Sequence, residues 1–299
     1  MATPSVKNTT QIAWSDPAIA QKYARAEKAS GPFAEVMIQR SDIKNTPAGQ
    51  ELNVLDLACG TGAVTKAMYD ALPREQWDAT KVLGADISEP MLSYLKERGE
   101  KEGWKGLETR VVDLNDTKLA PTTYTHLFLN FAVFLSPPTV LQDLSKLLRP
   151  NAFISVSTWL HMPWYHLAAR AASRVASAPP FPSERAIEDV MYSKRPWNSP
   201  EYLAQALADA GVADVQTTRE EREVDCGTPD EFCDTMFMVL KLIRVAWLQG
   251  VPEEEAEKFA GSFAAKLRDV AGEEAEGGRG DGHVWMWFRA TVGSGRKAS

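Results

Sequence analysis

The chain has 299 residues, of which 44% are hydrophobic and 24% charged, with three cysteines and a net charge of −7. This composition is that of an ordinary globular protein and excludes collagen, a long coiled coil and wholesale disorder. The acidic balance argues against nucleic-acid binding, which depends on a basic surface. No apolar run approaches the roughly 18 residues that suggest a membrane-spanning helix. Residues 1–10 are polar and unlike a secretory signal, so we expect reduced cysteines and a cytoplasmic location.

The N-terminal section has a helical pattern that runs from Trp14 to Arg40. Gly31 and Pro32 interrupt this pattern, and a second short helix is predicted over 33–39. A polar loop follows. We therefore expect a helical cap, residues 12–50, ahead of the main fold.

Short apolar runs alternate with helical patterns in the next hundred residues. The runs predict strands over 53–57, 81–86, 109–113, 125–131 and 152–159. The predicted helices between them cover 63–72, 89–102 and 138–148, and Ser88 and Pro90 are typical of a helix start. Strands that alternate with helices predict a mainly parallel sheet with helices on both faces, a doubly wound α/β fold.

The remainder of the chain is less regular. Helices are predicted over 161–176, 200–210, 230–248 and 253–270, strands over 212–224 and 283–292, and a flexible loop over 272–282. Neither an internal repeat nor a sharp boundary is evident. We therefore expect one domain, residues 1–299.

The most informative segment is Val54-Leu55-Asp56-Leu57-Ala58-Cys59-Gly60-Thr61-Gly62. Its glycines lie between the first predicted strand and a helix, where bare backbone lets a ligand approach and the helix N-terminus favours an anion. The glycine spacing is not the dinucleotide fingerprint. It is not a phosphate loop either, because no Lys-Ser or Lys-Thr follows. Cys59 has no evident base beside it, so we interpret it as filling space behind the turn.

The pattern Asp56-x-Ala58-x-Gly60-x-Gly62 resembles the first motif of class I S-adenosylmethionine-dependent methyltransferases, with Ala58 where many members have glycine. The resemblance covers residues 53–160. It implies a Rossmann-like sheet of seven strands, S-adenosylmethionine as cofactor, S-adenosylhomocysteine as product and no metal ion.

The same resemblance assigns roles to residues at successive strand ends. It implies that Asp86 binds both ribose hydroxyls, that Asp113 and Leu114 contact the adenine, and that Asn130 lies where the acceptor pocket begins. The complete set of cofactor-binding residues implied is Tyr23, Asp56, Ala58, Cys59, Gly60, Gly62, Asp86, Ile87, Met91, Asp113, Leu114 and Asn130.

A closer resemblance extends along most of the chain. The segments that carry it are Trp14 with Tyr23, Asp86-Ile87-Ser88-Glu89-Pro90-Met91-Leu92, Tyr124-Thr125-His126, Ser157-Thr158-Trp159 and Asp230-Glu231-Phe232. They are similar to fungal secondary-metabolism enzymes of the gliotoxin bis-thiomethyltransferase type, which S-methylate the reduced dithiol of epipolythiodioxopiperazines. By this resemblance, residues 51–160 form the cofactor-binding core, and helices in 161–200 and 228–270 form a lid over the substrate.

Three side chains after the fifth strand are candidate general bases: His161, Tyr165 and His166. The two histidines could instead cap or pack within the helix. The histidines are five residues apart rather than the three or four that bring two ligands to one helix face, so no metal site is predicted. Aromatic and methionine side chains predict an apolar pocket for a ring-containing molecule, although each could serve only as core packing. The candidate substrate-binding residues are Phe131, Trp159, Trp164, Phe232 and Met236.

A sulfur acceptor is favoured because a thiol with a pKa of about 8.5 needs little help to ionise. The alternatives are N- or O-methylation of another natural product, a pericyclase or isomerase that only binds the cofactor, and a non-catalytic regulator. We expect a small-molecule substrate, no nucleic-acid or membrane partner, and a monomer or weak homodimer.

Overall fold

The computed structural model describes residues 19–47, 49–137 and 139–299. The predicted helix start at Trp14, the N-terminal ten residues and Pro138 lie outside them. The described residues form two compact units. The first contains the residues up to Thr158 together with 198–220 and 290–299, and the second contains 159–197 and 221–289.

The described strands form one sheet in the order β3-β2-β1-β4-β5-β7-β6. Their bounds are β1 Leu52–Leu57, β2 Thr80–Asp86, β3 Leu107–Val111, β4 Tyr124–Asn130, β5 Leu148–Trp159, β6 Val212–Asp225 and β7 Trp285–Lys297. Strands β1 to β5 pair in parallel. Strand β7 meets β5 in reverse order, since Ser155 contacts Gly293 and Asn151 contacts Arg296. The predicted mainly parallel sheet of seven strands is therefore confirmed, with an antiparallel strand that makes it mixed.

The described α-helices are α1 Ile19–Arg40, α2 Ala63–Ala71, α3 Glu89–Glu102, α4 Val140–Ser145, α5 Tyr165–Ala172, α6 Glu184–Met191, α7 Pro200–Asp209, α8 Pro229–Thr235, α9 Phe237–Trp247 and α10 Glu253–Gly277. Among the described residues, no helix combines the length and the apolar character needed to cross a membrane.

Helix α3 begins and ends as its sequence predicts. The Ser88 hydroxyl accepts the Met91 N–H at 3.4 Å, and Pro90 occupies the first turn. Gly103 ends the helix at φ 70°, a left-handed conformation that glycine adopts at little cost. These signals set the bounds of α3, which begins three residues after the end of β2.

The break predicted at Gly31 and Pro32 is wrong, because α1 is one continuous helix with Pro32 inside it. A proline inside a helix costs about 3 kcal/mol, since it removes a hydrogen bond and crowds the preceding turn. Immediately after it, Phe33, Ala34 and Met37 are fully buried. Burial of this apolar face against the first unit outweighs the local penalty.

Three predictions also fail in the second unit. The predicted helix 230–248 is two helices that meet at Met236, and α6 was not anticipated. Helix α10 continues through the first residues of the loop predicted over 272–282. Its C-terminal part buries Ala271 and Ala275, and Glu273 pairs with two arginines of the same unit, so packing and charge extend the helix beyond Gly272.

Candidate active site

The turn after β1 is built from left-handed backbone. Ala58, Gly60 and Gly62 have φ angles of 52°, 53° and 89°. The Cys59 N–H donates to Ala85 O of β2 at 3.1 Å, and the Gly62 N–H donates back to Cys59 O at 2.9 Å. A left-handed residue other than glycine costs roughly 1–2 kcal/mol, which explains why glycine is common where this chain has Ala58.

Gly62 is required by helix packing. A Cβ atom added there would overlap Leu95 Cδ1 of α3, and the φ angle is itself unfavourable for any other residue. The missing side chain therefore brings α3 close to the turn.

Replacement of Gly62 by alanine is expected to destabilise the protein by about 3 kcal/mol, because strain and overpacking act at the same position. Urea unfolding of the variant measures this loss. Gly272→Ala is the matched control, since open space surrounds Gly272 within α10. An equal free energy of unfolding for the two variants would contradict this role of Gly62.

Asp56 lies under the turn with 1% of its surface exposed. Its Oδ2 accepts the Thr65 N–H at 3.0 Å and the Thr65 hydroxyl at 2.7 Å. Its Oδ1 is buried without a hydrogen-bond partner among the described residues. Burial raises the pKa of Asp56 to about 7, against the effect of the two Thr65 hydrogen bonds. The site thus holds a buried acceptor that lacks a donor.

Asp86 ends β2 and supports the turn from the other side. Its Oδ2 accepts the Gly60 N–H at 2.9 Å, and its Oδ1 accepts the Ser88 N–H at 2.9 Å. Burial raises the pKa of Asp86, and these backbone hydrogen bonds oppose the rise. Each carboxylate oxygen can accept a second hydrogen bond, so the residue can support the turn and receive a ligand donor.

Tyr23 of α1 covers the turn. A Cβ atom on Gly60 would lie 3.1 Å from Tyr23 Cε1, so a larger residue would require the ring to shift, and the φ angle of 53° also favours glycine. Burial raises the pKa of the Tyr23 hydroxyl to about 12, with further contributions from the charges of Asp86 and Glu27. A cleft opens here, lined by Tyr23, Ser30, Asp56, Ala58, Cys59, Thr61, Ala63, Val64 and Asn130.

The environment of Cys59 does not favour a role as a nucleophile. Cys59 is buried and packs with Leu92 and Leu95 of α3. Burial, followed by the nearby charges of Asp56 and Asp86, holds the pKa of its thiol well above the ordinary value. The thiol is therefore neutral near pH 7, as its space-filling interpretation requires.

The remaining predicted cofactor residues occupy different environments. Met91 is fully buried, whereas Ile87 is a large apolar side chain with 37% of its surface exposed. Asp113 lies two residues beyond the end of β3, not at its last residue as the sequence predicted. Its Oδ1 accepts the backbone N–H of Asn115 at 2.8 Å. This hydrogen bond closes a local turn that contains Leu114.

Asn130 ends β4 and is held by Ser157, a residue to which the sequence assigned no role in the site. Ser157 of β5 donates its hydroxyl to Asn130 Oδ1 at 2.6 Å and accepts the Phe131 N–H at 3.0 Å. Phe131 is buried and left-handed at φ 54°, and its ring meets Phe33 edge-on at 5.5 Å. The predicted substrate residue Phe131 therefore packs against α1.

A charged contact also went unpredicted. Glu27 of α1 accepts the Thr61 hydroxyl at 2.7 Å, and Arg98 of α3 lies 3.0 Å from both Glu27 carboxylate oxygens. Arg98 also donates to Thr61 O at 3.2 Å. Glu27 and Arg98 are far from Thr61 in sequence and belong to no motif, so no local signal reveals their contact.

The candidate bases belong to the second unit and differ from one another. His161 has a buried Nε2 without a hydrogen-bond partner among the described residues, and burial lowers the pKa of its imidazole. Tyr165 donates its hydroxyl to Pro182 O at 3.1 Å, whereas His166 is exposed. Within the part of the chain that is described, no group of three or more metal-ligating side chains occurs.

The other predicted substrate residues also lie in the second unit. Trp164, Phe232 and Met236 are buried in its hydrophobic core, with 8%, 2% and 3% of their surfaces exposed. Trp159 is half-buried and its ring lies 5.6 Å from that of Phe288. Their contact with a substrate remains a prediction.

The chain has clear relatives. Residues 54–151 match a family model described as a methyltransferase domain. The chain is 26% identical to methyltransferase ktnA of Aspergillus niger, over 93% of this chain and 95% of that protein. It is 28% identical to acetylaranotin bis-thiomethyltransferase of Aspergillus terreus, over 66% of this chain and 67% of that one.

A solved structure of a candidate methyltransferase of Bacillus halodurans is similar in fold, with a TM-score of 0.51 at 15% identity. The match covers 89% of this chain and 99% of that one. The domain match and the named relatives support an S-adenosylmethionine-dependent methyltransferase, and over most of its length the chain is similar to methyltransferases of Aspergillus species.

Proposed function

We propose that this enzyme transfers a methyl group to sulfur in a small-molecule secondary metabolite, such as a reduced dithiol. The observation that carries the proposal is the similarity to acetylaranotin bis-thiomethyltransferase, which extends over two thirds of both chains. The chemistry of the described site is compatible with it, because a thiol acceptor near pKa 8.5 ionises without a strong base.

The residues around the glycine turn fit S-adenosylmethionine. Asp56 lines the cleft, and its Oδ1 is an acceptor that lacks a donor. The ammonium group of the cofactor is a hydrogen-bond donor whose positive charge is opposite to that of the carboxylate. Ala63 and Val64 line the same cleft at the N-terminus of α2, where backbone N–H groups favour a carboxylate. Asp86 retains acceptor capacity for the ribose hydroxyls. We propose that the adenine lies beyond it, near Ile87, Asp113 and Leu114.

The protein's contribution is then mainly orientation. When bound, the cofactor supplies a methyl group activated by a positive sulfur, and its transfer to a thiolate neutralises charge. Holding the two reactants in line contributes on the order of 7–11 kcal/mol to the rate acceleration. A dry apolar site does not oppose a reaction in which charge is lost.

Methylation of a hydroxyl group is the second candidate function, and the environment of His161 favours it. Burial lowers the pKa of His161, so its imidazole is neutral near pH 7, and its Nε2 is buried without a described partner. A neutral imidazole can accept the proton that a hydroxyl must lose before methylation.

A methyl-acceptor panel separates these functions. The purified enzyme with S-adenosylmethionine is expected to form S-adenosylhomocysteine and a methylated product from dithiols, and more slowly from phenols or amines of similar shape. Mass spectrometry of the products gives the acceptor atom. His161→Gln should leave thiol methylation within about threefold, since a thiolate needs no base.

The outcomes discriminate clearly. Faster methylation of phenols, lost in His161→Gln, would replace the sulfur proposal by oxygen methylation. Tight cofactor binding without turnover on any acceptor would favour a cyclase or a regulator instead.

A further inference from the structure

Glu27, Thr61 and Arg98 form a contact that ties α1 to the glycine turn and to α3; we call it the α1 latch. The Glu27 and Arg98 side chains are only 14% and 19% exposed. Arg98 holds the turn through the Thr61 carbonyl while Glu27 holds it through the Thr61 hydroxyl. Both the backbone and the side chain of the turn are thus fixed by charged partners.

The latch acts on the helix face that lines the cleft. Tyr23 precedes Glu27 by four residues, so the two side chains lie on the same face of α1. Tyr23 rests on Gly60, and Ser30, a further turn along, lines the same cleft. Any rotation or withdrawal of this face would therefore move the wall of the cleft.

The two charges depend on each other. The Glu27–Arg98 pair is partly buried, so removal of one partner leaves the other charge partly desolvated and uncompensated, which is destabilising locally. An exposed pair behaves differently, and the Lys66–Asp70 pair on α2 has both side chains about half exposed. Loss of either Glu27 or Arg98 should therefore release α1 from the turn, whereas loss of Lys66 should not.

We infer that Glu27 and Arg98 are positioning residues for the methyl-transfer reaction, which hold Tyr23 against the glycine turn and so set how tightly and how long S-adenosylmethionine stays bound. The inference rests on the proposed cofactor placement at Gly60 and Asp86. Neither residue is required to touch the cofactor. Their effect on binding passes through the position of α1.

A double-mutant cycle with S-adenosylmethionine tests this inference. Glu27→Gln and Arg98→Met are each expected to raise the dissociation constant measured by calorimetry about tenfold, with faster release in stopped-flow. The loss in the double variant is expected to be smaller than the sum of the two single losses, because the Glu27–Arg98 contact is absent from all three variants. Hydrogen exchange over residues 19–30 should accelerate in each. Lys66→Gln is the matched control and should bind as the wild type does.

An unchanged affinity in the single variants, despite faster exchange of α1, would overturn the inference. So would additive losses in the double variant, or weaker binding with unchanged exchange. If a charge variant does not fold, Thr61→Val keeps both charges and is expected to weaken binding about threefold; unchanged affinity there also overturns the inference. Asp86→Ala distinguishes failure of this inference from failure of the proposed cofactor placement. If Asp86→Ala also leaves the affinity unchanged, the cofactor placement itself is wrong.

Discussion

Replacement of Asp86 by alanine is expected to raise the dissociation constant for S-adenosylmethionine by about 100-fold. Truncating one partner of a buried, charged hydrogen bond typically costs 2–5 kcal/mol in binding. Asp86 has two functions in this account, since it receives the ribose hydroxyls and accepts the Gly60 N–H at 2.9 Å. Calorimetry with S-adenosylmethionine and with S-adenosylhomocysteine measures the loss.

The matched control is Asp70→Asn, which removes an exposed carboxylate from the helix that follows the same turn. Circular dichroism and thermal unfolding establish that both variants are folded. An affinity for the Asp86 variant equal to that of the control would remove Asp86 from the cofactor site.

The second large effect is expected at Asp56, where stability and binding should change in opposite directions. Its folded-state pKa is about 7 and its ordinary value is 3.8. Between these values the unfolded chain has lost the proton that the folded chain retains. The free energy of unfolding therefore falls as pH rises from about 4 to 7, by an amount on the order of 4 kcal/mol, and stays level above 7.

Asp56→Asn cannot ionise, so it should lack this contribution and be more stable than the wild type at pH 8. It should nevertheless bind S-adenosylmethionine about tenfold more weakly at that pH, because an amide does not attract the ammonium group as a carboxylate does. Wild-type affinity should rise with pH through about 7, and the variant's should not.

Urea unfolding and calorimetry between pH 4.5 and 8.5, with the variant subtracted from the wild type, isolate the Asp56 contribution. A difference in stability that does not change with pH would show that the carboxyl is not held protonated by burial. Equal affinities at pH 8 would show that its unpartnered oxygen does not receive the cofactor.

Short sequence motifs predicted those parts of the site that are formed by residues close together in the sequence. The sequence places Asp56, the glycine turn and Asp86 in order at strand ends, and parallel strands bring such ends to one edge. Ser88 and Pro90 similarly specify the start of α3, since a cap needs only its own first turn.

Long-range packing decided what the sequence could not reveal. Pro32 interrupts the helical pattern, yet the fully buried Phe33 and Met37 keep α1 continuous. Leu95, which is 33 positions from Gly62 in sequence, leaves no room for a side chain at Gly62. The residues next to Gly62 in the sequence do not indicate this contact. Local composition does not encode such pairs.

The charged and polar supports of the site were missed for the same reason. Glu27 and Arg98 join two helices 71 residues apart, and Ser157 meets Asn130 across neighbouring strands. Their side chains are ordinary surface types in the sequence. Only the assembled sheet shows that they fix the turn and the end of β4.

The most direct test of the cofactor site is a crystal structure of the complex with S-adenosylhomocysteine. We expect the adenosyl group along the carboxyl ends of β1 and β2, with the ribose hydroxyls about 3 Å from the Asp86 carboxylate and the amino group at Asp56 Oδ1. Density for the ligand at any other edge of the sheet, or in the second unit alone, would contradict it.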